Sequence, residues 1–115
     1  MNTNTVNSVN VASADTTADR IRQAVNSDRP TLVMFYVADD PVCVGEKGIY
    51  DEVADVMGGK AHFIDVNAAV DIAIRDKYKV RDYPAFLVFS DGQEVWRATG
   101  RIGARELEDM LFRFV

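Results

Sequence analysis

A single thiol and a single imidazole, Cys43 and His62, are the first residues in this chain whose side chains could do chemistry at neutral pH. Cys43 closes the run Asp39-Asp40-Pro41-Val42-Cys43. Asp40-Pro41 is a helix-start signal, because aspartate accepts main-chain N–H groups at an N-cap and proline at the first helical position gives up no intrahelical bond. Cys43 thus falls in the opening turn, where the helix dipole favours thiolate while the two aspartates oppose it. Two readings stand side by side: a monothiol that forms mixed disulfides or is glutathionylated, and a small buried hydrophobe. A dithiol cycle needs a second sulfur to release the mixed disulfide, and these residues supply one. Asp40 as an acid or base lacks a positioned second carboxylate or histidine, so the N-cap role explains it. His62 alone builds neither a triad nor a metal site. Asp65 and Asn67, two residues apart and without further ligands, read as a strand-end turn rather than a metal site. Trp96 reads as packing on a sheet face. With no glycine-rich phosphate loop, Ser/His/Asp set or Cys/His cluster, neither a metal nor a cofactor is expected.

The elements that must position these residues follow from periodicity. Thr16 and Asp19 resemble a capping box, and Ile21, Ala24 and Val25 at helical spacing predict a helix to about Asn26. Thr31 to Val37 is a continuous run of apolar and β-favouring residues, the pattern of a central strand buried on both faces. The helix begun at Asp40 is expected to bury Val42, Ile49, Val53 and Val56 and to close at Gly58-Gly59, held by packing because Gly45 and Gly48 lie inside it. Ala61 to Val66 predicts a strand, and Ala69 to Tyr78 a helix with Val70, Ala73, Ile74 and Lys77/Tyr78 on one face. Ala85–Phe89 and Glu94–Ala98 flank Asp91-Gly92, a strong hairpin signal. Leu107, Met110, Leu111 and Phe114 mark a last helix. This order predicts an α/β domain: a central mixed sheet, parallel pairing first and antiparallel last, with helices on both faces. Residues 1–15, rich in Asn, Ser and Thr, are expected to form a flexible leader, with Val6, Val9 and Val11 able to lend a short edge strand; the domain is expected over 16–115.

Composition narrows the partners. A length of 115 residues is one domain's worth. Thirteen Lys+Arg against eighteen Asp+Glu give a formal charge of −5, and no basic stripe is present, which argues against nucleic acid and anionic membrane as partners. The longest apolar run, Leu32 to Ala38, is far short of the ~20 residues of a membrane span. Met1 to Ala18 has no Lys or Arg and no long apolar block, so it does not read as a targeting peptide, and a cytoplasmic location is expected.

From about Ala18 onward the chain resembles thioredoxin. The likeness is carried by Val33-Met34-Phe35-Tyr36, Asp51-Glu52-Val53-Ala54, Lys77-Tyr78-Lys79-Val80-Arg81-Asp82-Tyr83-Pro84-Ala85, and Phe89-Ser90-Asp91-Gly92 with Gly100 beyond. It implies a thioredoxin fold with Pro84 as the family's cis-proline. It also shows what has changed. Asp39-Asp40-Pro41-Val42-Cys43 stands where thioredoxins carry Trp-Cys-Gly-Pro-Cys, so Asp40 occupies the place of the nucleophile and Cys43 that of the resolving cysteine. Met34 stands where the family has a buried carboxylate that assists proton transfer. The resemblance further implies a groove for a partner's extended segment, built from Asp39, Asp40, Pro41, Val42, Tyr83, Pro84, Thr99, Gly100 and Arg101. The function expected is a redox-inactive protein-binding or chaperone-like module acting through that groove. Monothiol redox work through Cys43 is the alternative. Ala73-Ile74, Asp76-Lys77-Tyr78, Tyr83-Pro84-Ala85 and Leu87-Val88-Phe89 are also similar to the thioredoxin-like accessory chaperones of nickel-iron hydrogenase maturation, a further alternative.

Overall fold

The computed structural model describes residues 16–115, so the expected leader lies outside the described residues. Nine elements follow in order: α1 (Thr17–Val25), β1 (Thr31–Tyr36), α2 (Pro41–Met57), a 3-10 turn (Gly58–Lys60), β2 (His62–Asn67), α3 (Ile72–Lys77), β3 (Ala85–Ser90), β4 (Gln93–Thr99) and α4 (Ala104–Phe112). The strands form one sheet in the order β2-β1-β3-β4. β1 runs parallel to β2 and antiparallel to β3, and β3 and β4 form the hairpin, with an irregularity at Val88/Phe89. This is the thioredoxin fold, a mixed sheet with helices on both faces. None of the described helices is long and apolar enough to cross a membrane.

Each face of the sheet has its own core. Leu32, Met34, Phe86 and Val88 pack with Tyr50, Val53 and Met57 of α2 and Leu107 and Leu111 of α4. Val33, Phe35, Leu87 and Phe89 face the other way, onto Ile21 and Ala24 of α1, with Ile74 and Tyr78 completing that layer. Strand alternation therefore explains why β1 reads as uninterrupted apolar sequence: both its faces are covered. Trp96, half-buried on β4, packs against the first core as expected.

Two local expectations need correction. On α2 the buried stripe is Cys43, Glu46, Tyr50, Val53 and Met57, while Val56 is 54% exposed and Val42 and Ile49 are only half-buried. An aliphatic count misplaces this face because one of its members is a carboxylate. The helix expected from Ala69 starts at Ile72, leaving Val70 exposed in the preceding turn. Asn67 imposes that delay. Its Oδ1 accepts the Ala69 N–H (3.1 Å), and its carbonyl accepts from Val70 (3.1 Å) and Asp71 (2.9 Å), which makes it the strand-end turn residue that its type suggested.

Adjacent residues on α2 test the corrected face. Met57→Ala should lower unfolding free energy by about 2–5 kcal/mol, and Val56→Ala by less than about 0.5 kcal/mol, in chemical denaturation.

Candidate functional site

Strand register decides which loops meet. Tyr36 lies opposite Asn67, Phe35 opposite Ala85, and Ala85 opposite Thr99. The ends of β1 and β2, the start of β3 and the end of β4 therefore lie at one edge of the sheet. The segments 37–40, 68–71, 81–84 and 99–103 converge there.

The first wall is the head of α2. Asp40 is its N-cap, in an extended conformation, and its Oδ1 accepts the N–H groups of Val42 (2.8 Å) and Cys43 (3.2 Å). Its carbonyl accepts from Val44 at 3.0 Å, the first intrahelical bond. A carboxylate here meets the positive end of the helix dipole as well as unpaired N–H groups. Cys43, one turn in, is 1% exposed. Burial pushes its thiol above the ordinary value; the Val37 main chain offsets part of this, and the charge of Asp40 adds to it. Cys43 also walls a shallow depression of about 200 Å³ with Tyr36, Val37, Ala38, Val44 and Lys47. None of Tyr83, Pro84 or Thr99 to Arg101 lines it, so Cys43 does not share this cavity with the other residues expected at the groove.

The second wall is built around Pro84. The Tyr83–Pro84 bond is cis. Pro84 is buried, and its carbonyl accepts the Gly100 N–H at 2.8 Å, which brings the 99–101 loop against it. Gly100 turns there with φ +85°, a conformation that a side chain would strain. The Tyr83 ring is half-buried against the α1 and α3 core. Among the described residues, neither its main-chain N–H nor its C=O has a hydrogen-bond partner.

Two positioning residues went unrecognised in the sequence. Glu46 is 9% exposed, and its Oε1 accepts the Ile102 N–H at 2.7 Å, tying α2 to the loop that follows β4. Its place on the Cys43/Tyr50/Val53 stripe was the available signal. Arg97 of β4 donates to the carbonyls of Tyr78 (2.8 Å) and Lys79 (3.3 Å), its guanidinium held by Glu94 at 2.7 and 2.8 Å. It thereby anchors the segment leading into Tyr83. Nothing local in the sequence announces that contact.

The other candidates fall elsewhere. His62 lines a depression with Arg20 and Gln23 between α1 and β2, and its N–H donates to Pro30. Met34 is fully buried among apolar side chains, and its β2 neighbour in register, Asp65, is exposed.

The thioredoxin family model matches residues 10–113, and the chain belongs to the thioredoxin family. It is 29% identical over 101 residues to thioredoxin 1 of Nostoc sp., covering 87% of this chain and 94% of that protein. It is 31% identical over 83 residues to chloroplastic thioredoxin Y1 of Arabidopsis thaliana, covering 72% of this chain and 48% of that one. The chain thus spans about half the length of the chloroplast relatives. Among solved structures, Fasciola hepatica thioredoxin superposes with a TM-score of 0.76 at 23% identity, covering 85% of this chain and 93% of that one. A mutant thioredoxin from Halobacterium salinarum NRC-1 gives 0.74 at 19%, covering 82% and 81%.

The raised thiol has a consequence with a definite sign. Tyr50 is also pushed up, chiefly by burial and then by Asp65 and Asp51. Both groups hold their protons in the folded state to higher pH than in the unfolded chain. Their contribution is whole below the unfolded values, about 8.5 for thiol and 10 for tyrosine, and is lost as pH rises through the folded ones. Unfolding free energy should therefore decline above about pH 8.5, and Cys43→Ala should lessen the early part of the decline. Native Cys43 should react with a thiol reagent far more slowly than the unfolded chain; fast native labelling would contradict its burial.

Proposed function

We propose that this thioredoxin-family chain does not catalyse dithiol exchange and works as a protein-binding or chaperone-like module, holding a partner's extended segment in the groove between Asp39–Val42, Tyr83–Pro84 and Thr99–Arg101. The observation that carries the reading is a carboxylate, Asp40, capping α2 where the family's attacking sulfur stands, with the remaining thiol buried one turn below. A carboxylate at this position uses the same N–H groups and the same dipole but has no sulfur to form a mixed disulfide. With Met34 apolar and Cys43 shielded and raised, neither an acid–base group nor a ready thiolate supports exchange.

Binding needs none of that chemistry. The unpaired N–H and C=O of Tyr83 can each meet a main-chain group of an extended peptide, as in strand addition. Pro84 and Gly100, linked by their hydrogen bond, hold that edge in place. The reading carries with it a reducing compartment such as the cytoplasm, where a lone thiol stays reduced.

With NADPH and thioredoxin reductase, the purified protein should leave insulin disulfides intact. A permanently unfolded probe, reduced and carboxymethylated α-lactalbumin, should bind equally to the native chain and to Cys43→Ala. Turnover at the rate of an active thioredoxin, or loss of probe binding in Cys43→Ala with folding retained, would shift the function to a thiol enzyme.

A further inference from the structure

We propose that a depression beside Tyr83, walled by two arginines, takes an aspartate or glutamate side chain of the segment held in the groove. The inference rests on the groove reading above and adds the chemistry of the occupant. Arg75, Asp76, Val80, Arg81 and Tyr83 line a space of about 280 Å³ between the last turn of α3 and the segment that leads to Pro84. Arg75 is half-buried. Its one ion pair among the described residues, with Asp76, is made through Nε at 3.2 Å, which leaves the terminal nitrogens without a carboxylate hydrogen bond. Asp76 chiefly, and the Tyr83 phenol in smaller part, favour the charged guanidinium against the cost of burial. Arg81 is exposed, and its side chain has no ion pair among the described residues. Asp82, next in sequence, does not line the depression.

The main chain that carries both arginines is fixed before anything binds. Buried Val80 donates its N–H to the Arg75 carbonyl at 3.1 Å, and Lys79, at φ +57°, donates to the Asp76 carbonyl at 3.1 Å. Arg97 holds the carbonyls of Tyr78 and Lys79 from β4. Little backbone freedom therefore remains to be lost on binding. A guanidinium presents a planar pair of donors that matches the two oxygens of a carboxylate, and a phenol adds a further donor. Two cations against one acid, Asp76, leave the depression with one surplus positive charge, the complement of a single carboxylate. The chain's net charge of −5 opposes an acidic segment only at range, because exposed charges more than about 8 Å apart are screened at physiological ionic strength. Tyr83 joins the two features: its main-chain N–H and C=O are unpaired among the described residues, and the same residue walls the depression. A segment paired to that main chain presents its side chains alternately, so the acid is selected at one position along it.

The test is selection of random linear peptides, displayed as a library, on the full-length protein, followed by chemical-shift mapping of the enriched peptides on main-chain amides and arginine Nε–H groups. The expected result is enrichment of sequences with Asp or Glu at one fixed position, which shift the Tyr83 and Gly100 amides together with the Nε–H signals of Arg75 and Arg81. Arg75→Gln and Arg81→Gln should each weaken them about two- to fivefold, the size of a solvent-exposed charge pair, with the thermal transition unchanged. Arg81→Lys should recover part of the loss. Asp76→Asn, which removes the internal competitor for Arg75, should tighten the same peptides. Neutral or basic peptides mapping to the same amides would overturn the carboxylate inference and leave the groove standing. Acidic peptides whose affinity is unchanged in the folded Arg75→Gln/Arg81→Gln double variant would do the same. Enriched peptides mapping to another face, or no enrichment at all, would overturn the groove reading and this inference with it.

Discussion

A buried carboxylate accepting one main-chain N–H couples the two halves of this site. Glu46 reaches from α2 to Ile102, and through that bond the helix whose first turn forms one wall is joined to the loop that forms the other. A carboxylate removed from water is costly unless a donor meets it, and a hydrogen bond to a charged group returns about 1.5–3 kcal/mol net. The contact is therefore directional as well as cohesive. Apolar packing alone would allow α2 and the loop after β4 to slide; this bond sets their register. The Gly100–Pro84 bond then transmits the same placement to Tyr83, and Arg97 secures the approach to it from α3.

On that frame the chemistry is determined by which atoms sit at the helix head. The position is electrostatically prepared for an anion, by unpaired N–H groups and by the dipole, whether the anion is a thiolate or a carboxylate. Here it is Asp40, which satisfies the donors permanently. The Asp40 carboxylate thus stabilises the helix start, and its charge helps keep Cys43 protonated. The bonds that hold these loops together, Glu46 to Ile102 and Gly100 to Pro84, involve no sulfur.

What was legible in the sequence was local or periodic. The Asp40-Pro41 cap, the Thr16 cap, the doubly buried β1 and the Asp91-Gly92 turn, where both residues have positive φ, each follow from a few neighbouring residues. The groove positions came from family likeness; register then gathers their loops at one edge of the sheet. What escaped was non-local. Glu46 is 56 residues from its partner, and Arg97 is 18 and 19 from the two carbonyls it holds, so no window of sequence contains both ends. The apolar face of α2 was misplaced for the same reason: a buried glutamate makes sense only once its distant donor is known. The spacing of Val70 fits a helix, yet Asn67 closes a turn across it first.

The central claim is that the head of α2 keeps a thioredoxin's backbone geometry with a carboxylate, Asp40, in the place of the attacking sulfur. The most direct measurement is the thiol count of Asp40→Cys after mild oxidation, by mass and by thiol titration in denaturant. The account predicts a monomer with both thiols lost to a bridge between the introduced residue and Cys43. It predicts weak disulfide-reductase activity with that bridge, because Met34 supplies no buried acid–base group and Asp39 opposes thiolate formation. A folded monomer that retains two free thiols under the same oxidation would mean that the head of α2 is not shaped for exchange, and the claim of a preserved site would fail.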